Sequence, residues 1–318
     1  MADINIGQLA ATTLQKYQPK LVDNVYKKHV VLNHLKANGG TKTYTGGRQL
    51  VAPLMYGTNS TVQTFDGTDT LDTTYQEGID AAEYDWRFYN VAVAFTMVDK
   101  IKNKGKEQVL SLLKAKITQA ELALSEKINS DMIDGTDAKG LQSFLTMSDA
   151  TTSIGGISGA TYSWWRGNVD SDAVTVSFSD MRNVKNSCQN GNGGSKVSLI
   201  VTTQAIYQKL FALLTATYSF NPTQAATKEG KRLAEASFEM LEFEGIPVVY
   251  DEDMPTGAMF FLNKDNYKLG ILSDANFAVI DKSQPSDQHV SIQHIVFGGA
   301  TFTDRRSSLG QMTAKTSA

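Results

Sequence analysis

Residues 88–98, FYNVAVAFTMV, run within a few residues into 106–133, KEQVLSLLKAKITQAELALSEKINSDMI, and this junction of strand and helix decides the reading of the fold. The first stretch is apolar and β-branched enough for a buried strand. In the second, Val109, Leu113, Ile117, Ala120, Leu124, Ile128 and Met132 fall three or four residues apart and make one apolar stripe. No Pro or Gly interrupts Lys106 to Ile133, so the spacing predicts a single helix of roughly 40 Å, stopped near Gly135. A rod of that length needs something long to lie against.

Upstream, from Thr41 to Val98, apolar residues alternate and turn signals recur at Gly46-Gly47, Asn59-Ser60, Asp66-Gly67 and Glu77-Gly78. The runs Gln49 to Tyr56 and Phe88 to Val98 predict strands, and Gly57 to Tyr75, rich in Thr and Asp, predicts a solvated tip between them. A projecting hairpin fits this pattern better than a closed sheet. Its charges are Lys42, Arg48 and Arg87 against Asp66, Asp69, Asp72, Glu77, Asp80, Glu83 and Asp85, a net of −4. Residues 1–40 have the opposite balance, a net of +3 from Lys16, Lys20, Lys27, Lys28 and Lys36 against Asp3 and Asp23. Their leucines and valines predict short amphipathic helices, broken at Pro19 and ended at Gly39-Gly40. Complementary charge between copies is one reading, and two solvated faces is the other.

Downstream, helices are expected over Ser179 to Cys188 and Gln204 to Thr215, and strands over Val197 to Thr202, Ile246 to Tyr250, Met259 to Leu262 and Val290 to Thr303. This interleaving is that of an α+β or α/β domain. The 318 residues, 41% hydrophobic, suffice for about two domains' worth of core. A net charge of −3 provides no basic field for nucleic acid. The opening residues hold an early Asp3 and no apolar stretch of signal-peptide length, and no run approaches a bilayer span, so a soluble protein made in the cytosol is expected. Cys188, the only cysteine, excludes an internal disulfide.

The sequence offers little that points to chemistry. His29 and His34, like His289 and His294, stand five apart, which misses the one-turn spacing of helical metal ligands. Asp251, Glu252 and Asp253 precede Pro255 and Gly257 without the alternation of a calcium loop, and predict a solvated turn. Gly191 to Lys196 leads into a strand, whereas a phosphate loop leads into a helix. No nucleophile elbow occurs. Tyr162, Trp164, Trp165 and Arg166 form the densest aromatic cluster and suit either an anchor within the chain or a contact between subunits.

The order of these parts resembles the major capsid proteins of tailed bacteriophages with the HK97-type fold. The pieces that carry the resemblance are Leu9-Ala-Ala-Thr-Thr-Leu14, GRQLVAPLMYG at 47–57, the block from Gly155-Gly-Ile157 to Trp165-Arg166, and Ile246-Pro-Val-Val-Tyr-Asp251 followed by Met259-Phe-Phe-Leu-Asn263. The resemblance implies an α+β, HK97-like capsid fold: an N-terminal arm (1–40), an extended β-hairpin E-loop (41–98), a P-domain (99–159) with its spine helix at 106–133, a central α/β A-domain (160–267), and return strands (268–318). It implies a structural subunit assembling into hexamers and pentamers of an icosahedral head that encloses double-stranded DNA without sequence-specific binding, with portal and scaffolding proteins as partners. No internal scaffold segment, catalytic residue, cofactor, metal or membrane is expected. Lys16, Lys20, Arg48, Asp66, Asp69, Asp72, Trp86, Arg87, Trp165 and Arg166 are the candidate contacts between subunits. The rivals are a soluble metal-dependent hydrolase or binding protein using Asp251, Glu252, Asp253 and the histidines, and another virion component.

Overall fold

The structure, a computed structural model, describes residues 29–96, 112–190, 196–217, 241–283 and 290–316. In chain order, helix α1 (Val30–Ala37) precedes strands β1 (Thr41–Tyr44), β2 (Gln49–Met55), β3 (Ile79–Asp85) and β4 (Arg87–Thr96). Helix α2 (Leu112–Asp134) and the single turn α3 (Phe144–Met147) follow, then β5 (Ser153–Ile154), β6 (Ile157–Ser158) and β7 (Asn168–Asp170). Next come α4 (Phe178–Gln189), β8 (Leu199–Thr202), α5 (Gln204–Thr217), β9 (Leu241–Phe243), β10 (Ile246–Tyr250) and β11 (Met259–Leu262). Strands β12 (Tyr267–Leu272), β13 (Ala278–Ser283), β14 (Val290–Thr303) and β15 (Gly310–Met312) complete the described chain.

These elements divide between two compact units. The larger contains a six-stranded sheet in the order β7-β15-β11-β8-β10-β9. Strands β8 and β11 are buried along their whole length, as inner strands covered on both faces must be. Met259 and Phe261 face one side, in a core with Met181, Val184, Ile200, Ile206, Leu210 and Val248. Phe260 points the other way, its ring 4.9 Å from Phe144; burying a side chain of this size stabilises by about 2 kcal/mol. Helix α4 presents Met181, Val184 and Cys188 to that core at helical spacing, and starts where the Ser177 hydroxyl accepts from the Asp180 N–H at 3.2 Å.

The second sheet has five strands, β1-β12-β14-β13 with β4 also on β14. Strand β1 pairs in parallel with β12, so Thr41 to Tyr44 belongs to this sheet. The projecting ribbon is therefore narrower than the 41–98 stretch: it is β2 against β3 in antiparallel register from Gln49↔Asp85 to Met55↔Ile79.

Helix α2 runs uninterrupted to Asp134, and the Gly135 N–H closes its last turn on the Asp131 carbonyl at 3.1 Å. Of the expected stripe, Ala120, Leu124, Ile128 and Met132 are buried. Residues 106–111 lie outside the described residues, as does most of 1–40. In the smaller unit, the Lys116 ammonium reaches the Ala94 carbonyl at 3.1 Å, tying the start of α2 to β4.

Candidate interaction surface

The ribbon has two faces, set by strand alternation. Leu50, Ala52 and Leu54 of β2 and Ala82 and Tyr84 of β3 are buried on one face. The other carries Val51, Met55 and Ile79, with Met55 82% and Ile79 76% exposed. Beyond the last paired residues, Val62 and Tyr75 are 85% and 84% exposed, with Phe65 and Leu71 also open to solvent. Apolar residues gathered on one projecting element mark an interaction surface. The tip expected to be simply polar is instead a Thr and Asp framework presenting large apolar side chains.

That framework is local. Asp69 N–H donates to the Asp66 carbonyl and Asp66 N–H to the Asp69 carboxylate, both at 2.8 Å. Asp72 accepts from the Thr74 N–H at 2.9 Å and its hydroxyl at 2.6 Å, and these bonds hold the Asp72 carboxyl below its ordinary value. Asn59 accepts from the Thr61 N–H in the same manner. Side chains that bond their own backbone two residues on build turns without a core beneath them.

The root, by contrast, is anchored. Tyr84 donates its hydroxyl proton to the Thr303 carbonyl at 2.7 Å, and burial pushes that phenol's pKa up. The Glu83 N–H donates to the Gly155 carbonyl at 3.0 Å. Gly155 has φ +62°, and a Cβ there would lie 2.7 Å from the Ala82 Cβ, so only glycine lets the β5–β6 turn approach β3. At the end of β2, Tyr56 stacks on Trp164 at 4.9 Å and 14°.

Of the candidate contacts, Arg48, Asp66, Asp69, Asp72 and Arg166 are exposed, and Lys16 and Lys20 lie outside the described residues. Arg87 is half-buried. Trp86 is fixed within the chain, its indole N–H donating to the Gly47 carbonyl at 3.0 Å and its ring edge-on to Tyr44 at 5.7 Å. Arg166 is exposed but held, donating to the carbonyls of Gly159 and Ala160 at 2.7 Å each. Trp165 is only 1% exposed and its indole N–H donates to the Ile154 carbonyl at 3.0 Å, so it is packed as an anchor within the subunit. Trp164, beside it, faces the ribbon. Composition alone does not separate the two tryptophans, because the 3-10 turn that holds both decides which ring points inward.

Arg306 escaped the sequence reading altogether. It is fully buried and donates to the carbonyls of Met147 (2.9 Å), Thr152 (2.8 Å), Trp165 (2.9 Å) and Asp149. Burial lowers its pKa to about 10, opposed by the Asp149 carboxylate, and it remains a cation at neutral pH.

Among the described residues the rival chemical site does not form. Asp251 is buried and not a solvated turn residue: its carboxylate accepts from the N–H of Val30 (3.3 Å), which opens α1, from Asn129 Nδ2 (3.4 Å) and from the Asp253 N–H (3.0 Å). Burial raises its pKa. His34 is packed between Ser198 Oγ (3.0 Å) and Asn38 Nδ2 (3.1 Å), and burial lowers the pKa of His29. His289 and Gly191 to Ser195 lie outside the described residues. Among the described residues no group of three His, Cys, Asp or Glu could hold a metal ion, and no helix is long and apolar enough to cross a membrane. Burial pushes the Cys188 thiol up to about 12, the pKa of an inert packed thiol.

No protein-family model matches the sequence, and no curated protein matches it. Solved structures do. The capsid asymmetric unit of cyanophage A-1(L) is similar to it with a TM-score of 0.71 and 17% identity, over 99% of each chain. The fold is the HK97-type capsid fold. The capsid of the native GTA particle matches over 98% of each chain with a TM-score of 0.64 and 11% identity. The holo-SrpI encapsulin complex from Synechococcus elongatus is similar as well, with a TM-score of 0.63 and 8% identity over 100% of this chain and 98% of that one.

Proposed function

We propose that this chain is the structural, non-enzymatic subunit of an icosahedral phage head, made in the host cytoplasm and incorporated in the virion. Copies join into hexamers and pentamers that enclose double-stranded DNA, with portal and scaffolding proteins as further partners. The observation that carries this reading is the capsid fold, matched over 99% of both chains. It is supported by the ribbon, whose apolar outer face and tip are exposed among the described residues.

In this reading residues 1–40 are the N-arm and the stretch 41–98, with the β2–β3 ribbon at its centre, is the E-loop. Helix α2 is the spine of the P-domain, and the six-stranded sheet with α4 and α5 is the A-domain. Each ribbon buries its apolar side on the next subunit, and moderate contacts repeated around rings add up through multivalency. A chain of net charge −3 contains DNA by steric enclosure and does not grip it. Purified protein should form rings or shells by negative-stain electron microscopy. A monodisperse monomer at high concentration would overturn the proposal.

A further inference from the structure

A cavity of about 480 Å³ opens in the larger unit beside the β9–β10 turn, within the size range of small-molecule sites. Three lysines from three separate elements line it: Lys185 from α4, Lys196 from the approach to β8, and Lys264 from the turn between β11 and β12. The carboxylates on its walls are Glu244 and Asp265.

Those two acids do not cancel the cations. Glu244 stands in the β9–β10 turn at φ +50°, followed by Gly245 at φ +78°, and is shared between Arg182 Nε at 2.6 Å and the Lys185 ammonium. Lys185 is fixed by that contact, its side chain only 14% exposed. With Arg182 included, four cations stand against two carboxylates. Among the described residues Lys196 has no ion-pair partner. A cleft with low-dielectric walls focuses such a surplus, and a partly buried ammonium attracts an anion more strongly than one free in water. The run Gly191 to Lys196 fails as a phosphate loop because it leads into a strand, yet the fold brings its lysine to a cavity that suits anions.

We propose that this cavity binds a small anion with two linked phosphate groups, either free pyrophosphate or the diphosphate of a nucleotide. A single phosphate leaves part of the positive charge unmatched, whereas a diphosphate can engage ammonium groups from more than one element through charge-assisted hydrogen bonds. The site lies within one unit of a single subunit, so it stands or falls apart from the shell reading.

Isothermal titration calorimetry of the full chain with inorganic pyrophosphate tests this. Binding should be saturable and about tenfold or more tighter than that of inorganic phosphate at matched ionic strength. Lys196→Gln together with Lys264→Gln should weaken it by about tenfold or more. Lys139→Gln together with Lys209→Gln, an equal change of charge outside the cavity, should leave it unaltered. Absence of saturable binding, equal affinity for phosphate, or equal loss in both pairs of substitutions would overturn the proposal. ADP separates the two sources: binding tighter than that of pyrophosphate assigns the nucleotide, and equal or weaker binding assigns the bare diphosphate. Displacement of pyrophosphate by a short DNA duplex would overturn the small-anion assignment in favour of a nucleic acid backbone. If the Lys196 and Lys264 variant does not fold, acetylation of the unaltered chain by acetic anhydride decides, read by mass spectrometry. Pyrophosphate should protect Lys196 and Lys264 and spare Lys139 no labelling; the same labelling of all three with and without pyrophosphate overturns the proposal.

Discussion

At the scale of single residues, the structure depends most on a buried cation that has no carboxylate within ion-pair distance among the described residues. Arg306 satisfies four carbonyls from the segment 147–165 at once. Arg306→Ala would leave those carbonyls buried and unpaired, and should destabilise the subunit by about 3 kcal/mol or more in urea denaturation. Asp149 belongs to the same segment. Burial alone would raise its pKa, but hydrogen bonds from Thr152 and Thr151 outweigh burial and hold the carboxyl at about 2, below its ordinary 3.8. A depressed carboxylate stabilises the fold above its unfolded pKa and loses that contribution as pH falls toward the folded value. The melting temperature should therefore drop between about pH 4 and about pH 2, and Thr152→Val should make the drop smaller; an unchanged profile in that variant would count against the assignment. None of this was legible in the sequence, because Arg306 and its acceptors lie some 150 positions apart and backbone carbonyls leave no trace in residue identity. Asp251 was misread for a related reason: three acids before a Pro and a Gly do look like a solvated turn, and only the fold brings the Val30 N–H and Asn129 to the first of them.

At the scale of elements, periodicity carried the reading well. Strands β10, β11 and β14 fall where their alternation and β-branched content put them, and α4 and α5 each lie within about two residues of their expected ends. What periodicity could not supply was partnership: β1 reads like the first rung of a hairpin and instead pairs with β12, more than two hundred residues away. The ribbon itself ends cleanly, with the Tyr56 N–H donating to the Gly78 carbonyl at 2.9 Å and the turns beyond held by their own side chains. Deleting Gly57 to Tyr75 should therefore leave the far-UV circular dichroism and melting of the body close to unchanged while abolishing closed shells in electron micrographs. Normal shells from that deletion would remove the ribbon from its proposed role.

At the scale of the whole molecule, the legible part was the sequence of elements along the chain, and the hidden part was how its two ends return to complete each sheet. The proposed assembly also predicts a mass-action effect. Contacts made only in the assembled, folded form stabilise it in proportion to the logarithm of free subunit concentration. The melting temperature should rise with protein concentration in the full chain and much less in the Gly57 to Tyr75 deletion, by differential scanning calorimetry over a dilution series. The position of β15 has a consequence for how such a protein is made. It lies inside the six-stranded sheet, between β7 and β11, though it is the last strand of the described chain. While the chain is being synthesised, β7 and β11 are made before β15, and the edges it fills stay open until residues 310–312 leave the ribosome. A nascent subunit on a crowded polysome thus lacks the finished sheet, and in the proposed assembly neighbouring chains in translation offer no completed body on which to begin a shell.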